Sequence, residues 1–77
     1  MLIKQQNKMI DKLESLYTER AIIEKSVEQY GAWMETEGYA KLDQQERDTI
    51  DKQFSFMNGY LHCMNQRIEL ELNTRND

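Results

Sequence analysis

The sequence predicts an all-α protein: an antiparallel two-helix hairpin, coiled-coil-like, that assembles with copies of itself into a homo-oligomeric helical bundle. Three observations lead there. Apolar residues recur at alternating steps of four and three along two stretches of similar length, which places them on one face of each of two helices. Helix breakers are scarce: the 77 residues include no Pro, and Gly stands only at 31, 38 and 59. Between the two stretches lies a short segment with the signals that stop one helix and start another. The whole chain, 1–77, reads as a single helical-hairpin domain, with helix 1 over about 2–37, a turn at 38–42 and helix 2 over about 43–74.

The first helix follows the rhythm Leu2, Gln6, Met9, Leu13, Leu16, Arg20, Ile23, Val27, Tyr30 and Met34. Eight of these ten positions are apolar, a seam of the kind that packs knobs into holes. Ile3, Ile10 and Tyr17 widen the stripe on one side and Trp33 on the other. A stripe that broad has room for two neighbours, one in the same chain and one in another. Arg20 interrupts the seam near its middle. One reading lays its methylenes on the core and carries its charge to the edge. The other keeps the guanidinium in place to meet a carboxylate or phosphate, which its planar fork suits.

The turn is predicted from Gly38, which can take the left-handed conformation that closes a helix, with Tyr39 folding back onto the last turn. Asp43 is the expected N-cap of the second helix. Glu46 three residues later gives the spacing of a capping box. A connection this short makes the two helices antiparallel, so positions adding to about 81 face each other. Leu13 then meets Ile68, Arg20 meets Leu61, and Val27 meets Phe54.

The second helix carries its seam at Ile50, Phe54, Met57, Leu61, Met64 and Ile68. Asp48 with Lys52 and Glu71 with Arg75 are pairs four residues apart in the favourable orientation. Gly59 costs about 1 kcal/mol relative to Ala in a helix interior, and marks either a tolerated surface glycine or a place of close approach. Beside the seam runs a second line at heptad spacing: Gln53, Tyr60 and Arg67. It is either the polar flank of a coiled coil or a ligand edge. In the second case Tyr60 stacks on a base, Arg67 takes a phosphate and Gln53 bonds a base edge. Arg20, expected opposite Leu61, would join them from the facing helix.

Composition narrows the function. Ten basic and fourteen acidic residues give a net charge of −4, shared evenly between the two halves. That argues against binding duplex nucleic acid, which needs a basic face to neutralise phosphates. A small anion needs only a few well-placed Arg residues. Cys63 is the single cysteine and His62 the single histidine. No internal disulfide, nucleophile–base pair or metal-ligand cluster can be built from them, so no catalytic residues, metal or cofactor are expected. The first residues, MLIKQQNK, contain no apolar run of the length of a signal peptide or membrane span, and a cytoplasmic, membrane-free protein is expected.

One further pattern points outward. The run Tyr39–x–x–Leu42–Asp43–x–x–Glu46, then Ile50–x–x–Gln53–x–x–x–Met57–x–x–Tyr60 and Arg67–Ile68, resembles a group of very short phage-encoded helical-hairpin proteins. The resemblance spans most of residues 13 to 68. Similar hairpins occur in phage proteins that defeat bacterial immunity by sequestering cyclic nucleotide signals, the anti-CBASS and anti-Thoeris sponges. It implies a non-catalytic, homo-oligomeric binding protein acting in the cytoplasm of an infected bacterial cell, with a cyclic nucleotide signal as ligand. The residues Arg20, Gln53, Tyr60 and Arg67 are read from this chain alone. Two alternatives stay open: a helical adaptor or inhibitor that docks a host protein through its apolar stripe, and a structural coiled-coil subunit.

Overall fold

A computed structural model describes the backbone of residues 2–76 and the side chains of residues 12–74. The seam positions expected at Leu2, Gln6 and Met9, the flanking Ile3 and Ile10, and the Arg75 partner expected for Glu71 lie outside the described side chains. The chain forms α1 (Leu2–Met34), a single turn α2 (Glu37–Ala40) and α3 (Gln44–Asn76). Among the described residues there is no strand.

The long helices pack against each other and run antiparallel. Near the open end Lys12 Nζ lies 3.2 Å from Glu71 Oε2. Near the closed end the Tyr30 hydroxyl donates to Gln53 Oε1 at 2.7 Å. The result is a rod of 57 × 18 × 15 Å. Every described position of both expected seams is buried or half-buried. Only Leu16, Met64 and Ile68 are fully buried, at 3%, 2% and 4% exposure, with Leu13 packed against them. A pair of helices has one shared face, so seam residues toward the closed end keep partial contact with water.

Aromatic rings fill the closed end. Phe54 stacks on Tyr30 with ring centres 6.1 Å apart and planes 10° from parallel. Tyr30 meets Trp33 edge-on at 6.0 Å, and Trp33 meets Tyr39 edge-on at 5.8 Å. Offset and edge-on arrangements like these suit the ring quadrupoles. Gly31 admits the Phe54 ring: a Cβ there would stand 3.3 Å from Phe54 Cζ, tighter than ordinary contact.

The turn differs from the expectation. α1 ends at Met34, not near Glu37, and Gly38 sits inside the short α2 with no positive φ. The break falls at Thr36, which takes an extended backbone (φ −94°, ψ 166°). The Thr36 hydroxyl donates to the Trp33 carbonyl at 2.6 Å, and the Glu35 and Thr36 amides donate to the Ala32 and Trp33 carbonyls. These bonds satisfy carbonyls that a helix end leaves open, so no left-handed glycine is needed. Tyr39 does fold back, onto Trp33, and its hydroxyl donates to Asp51 Oδ1 at 2.5 Å. Asp43 caps α3: its Oδ1 accepts the Glu46 amide at 2.8 Å.

Candidate ligand-binding edge

Gln53, Tyr60 and Arg67 are seven residues apart on α3, so each stands only about 20° round the helix from the last and all three share one edge. Residues of α1 face two of them. The Tyr60 hydroxyl donates to Glu19 Oε1, and Gln53 Oε1 accepts from Tyr30. Tyr60 is 45% exposed, which leaves much of its ring open to solvent. The Arg67 guanidinium meets Met64 Sδ at 3.8 Å, a weak acceptor.

Electrostatics tie Tyr60 to both neighbours. Its pKa is raised, first by the hydrogen bond to Glu19, then by desolvation and by the Glu19 charge. The positive charge of Arg67 acts in the opposite direction. The edge therefore holds a protonated phenol between a carboxylate and a guanidinium. At the Gln53 end it opens on a shallow hollow lined by Ser26, Gln29, Tyr30, Trp33, Gln53 and Met57.

Arg20 does not join this edge. Its Nη1 donates to Asn65 Oδ1 at 3.3 Å, its Nε lies 3.5 Å from Glu24 Oε1, and its guanidinium sits 5.2 Å from the centre of the Tyr17 ring. Asn65 is five residues beyond Tyr60, about 140° round α3, so Arg20 reaches the opposite edge of the hairpin. The expected placement beside Tyr60 is corrected: the stem crosses the seam and the charge leaves on the far side. Glu19, one residue earlier, occupies the place facing Tyr60. The sequence pattern did not single it out: the expected pairing, with positions adding to about 81, sets Tyr60 opposite Ala21, two residues from Glu19.

Among the described residues no group of three or more His, Cys, Asp or Glu could hold a metal ion, and no helix is long and apolar enough to cross a membrane.

The family model described as Sequestin matches residues 10–70. The chain belongs to the Sequestin family. The match takes in most of both long helices and all of the Gln53–Tyr60–Arg67 edge. The family name points to a binding, sequestering role rather than a catalytic one. No curated protein and no solved structure matches the chain.

Proposed function

We propose that this Sequestin-family chain is a phage immune-evasion protein that captures a cyclic nucleotide signal of bacterial anti-phage defence. It holds the molecule without chemical change, as a homo-oligomer in the cytoplasm of the infected cell. One observation carries the reading: a chain of a sequestering family sets an amide, an exposed ring and a guanidinium in line along a single edge. A ring face binds a nucleobase by stacking, a guanidinium binds a phosphate by charge-assisted hydrogen bonds, and an amide reads a base edge. Arg20 stays in the proposed ligand set only where a second chain brings its edge to the same molecule.

Calorimetric titration tests this. Wild-type protein is titrated with cyclic dinucleotides, cyclic trinucleotides and cyclic ADP-ribose isomers. Binding to one of them is expected, weakened roughly ten- to a hundredfold by Arg67→Ala, since a charge-assisted contact contributes about 1.5–3 kcal/mol. Binding to none of them removes the reading. A host-protein adaptor then takes its place, for which the exposed side chains of Ile22, Phe56 and Leu70 provide docking area.

A further inference from the structure

α3 has a second line of heptad spacing, facing away from α1. It reads Lys52, Phe56, Gly59, Cys63, Gln66 and Leu70, again at steps of four and three. Phe56 is 75% exposed, Leu70 is 65% exposed, and Cys63 is exposed. A Cβ added at Gly59 would meet nothing within 4 Å, so another backbone has room to approach there.

Charge is missing from the middle of this line. From Gln53 to Gln66 there is no Asp, Glu, Lys or Arg, in a chain of which 31% is charged. The run winds through about four turns, and its exposed positions Ser55, Phe56, Asn58, Gly59, His62, Cys63 and Gln66 are as free of Asp, Glu, Lys and Arg as its seam; depletion of charge is the compositional mark of an interface core.

We propose that α3 pairs antiparallel with α3 of a second copy about a twofold axis level with Leu61, and that this pairing joins two Gln53–Tyr60–Arg67 edges into one ligand groove. The register follows from the pattern. Antiparallel helices set a residue from one column of the repeat against a residue from the other. Gly59 then receives Cys63 of the second copy, Phe56 lies on Gln66, and the stem of Lys52 lies on Leu70. The Lys52 ammonium comes beside Glu69 of the second copy at both ends, a pair of opposite sign, while Arg67, which directly follows the neutral run, stands on the ligand edge. The interface is self-complementary, as a twofold contact must be.

The ligand edge flanks this line on one side, so the axis brings the two edges together. Tyr60 stands beside Tyr60 of the second copy at the centre. Arg67 of each chain stands beside Gln53 of the other, which places the two Arg67 positions roughly 20 Å apart along the helices. A single chain offers one ring and one cation, whereas the pair offers two of each, related by symmetry. That suits a ligand that is itself twofold symmetric and doubly negative, a cyclic dinucleotide. The choice of ligand rests on the function proposed above, but the pairing does not.

The test uses the full chain at micromolar concentration. Sedimentation equilibrium of wild type is expected to give a multiple of 9.3 kDa. Phe56→Glu is expected to fall to 9.3 kDa with its helix signal intact, and Ile22→Glu, on α1, to keep the wild-type mass. Under oxidation Gly59→Cys is expected to give an intermolecular disulfide with the native Cys63, lost on adding Cys63→Ser. A monomeric wild type, an assembled Phe56→Glu, an Ile22→Glu that dissociates, or no Cys63-dependent disulfide would each overturn the pairing. Cyclic dinucleotide binding is expected to weaken at least roughly tenfold in Phe56→Glu, and undiminished binding by that monomer overturns the shared groove. Should wild type bind no cyclic nucleotide, the proposed function and the groove built on it fall, while mass and disulfide still decide the pairing.

Discussion

Leu16→Ala tests whether the thin core holds the hairpin together. Leu16 is 3% exposed and lies between Met64 and Ile68, with Leu13 at its side. The substitution removes three carbon groups, about 2.4 kcal/mol at about 0.8 kcal/mol each. A cavity contributes more, but a site between two helices can close partly around it, so the expected loss is about 2.5–3 kcal/mol, toward the low end for such changes. A chain of 77 residues has a total stability of about 4–12 kcal/mol. One side chain therefore accounts for about a fifth or more of it. With an unfolding entropy of about 160 cal/mol/K for this length, the melting temperature falls by about 16–19 °C. The assay is urea and thermal unfolding followed by far-UV circular dichroism at one protein concentration. Ile22→Ala serves as the comparator, because Ile22 is 60% exposed and its truncation is expected to cost less than about 0.5 kcal/mol. Equal losses from the two substitutions would refute the assignment of the core.

Three further outcomes follow from single contacts. Asp43→Ala removes the acceptor of the Glu46 amide and is expected to cost about 1 kcal/mol in urea unfolding, while Asp43→Asn retains most of it. Tyr39 has its pKa raised above the ordinary value of 10.0, first by its hydrogen bond to Asp51, then by desolvation and the Asp51 charge. The folded chain holds this proton more tightly than the unfolded one, so the stabilisation is full below pH 10 and disappears as pH rises through the raised value. Unfolding midpoints measured against pH should accordingly fall more steeply above pH 10 in wild type than in Tyr39→Phe. Under the proposed function Glu19→Gln is expected to tighten anion binding about threefold at low salt, by removing a carboxylate beside Tyr60. Calorimetry showing weaker binding in this variant would mean that Glu19 holds Tyr60 in a productive position instead.

The helices were legible because their signal is periodic and repeated. Ile50, Phe54, Met57 and Leu61 are half-buried and Met64 and Ile68 buried, as one stripe on one face requires. The cap was legible because it is local, resting on Asp43 and the amide three residues on. Gly38 was misread for the converse reason. Its sequence context permits a left-handed stop, but the helix had already ended at Met34, where Thr36 takes the Trp33 carbonyl and Tyr39 packs on the Trp33 ring. Arg20 was misplaced because heptad position fixes where a Cα sits and not where a long side chain leaves the seam. Its guanidinium went toward Asn65 and Glu24, both offering oxygen, and away from Tyr60, whose hydroxyl Glu19 already accepts.

Under the proposed function, those intrachain bonds also bear on how a single hairpin would bind its ligand. Glu19 holds the Tyr60 hydroxyl, and Tyr30 occupies the Gln53 oxygen. A ligand that used either group would exchange one hydrogen bond for another, a trade whose net gain is small. What one chain offers without such an exchange is the exposed Tyr60 ring and the Arg67 charge, two contacts on a single edge. Stacking at about 1–3 kcal/mol and one charge-assisted contact do not reach the affinity needed to lower a signalling molecule present at low concentration. Bringing a second edge alongside doubles both contacts and walls off one side of the groove from water. It also explains why the stretch of α3 beside Tyr60 is free of charge although it faces outward. Under the proposed function and pairing, self-association and ligand capture are one property of α3, carried by two adjacent lines of its surface.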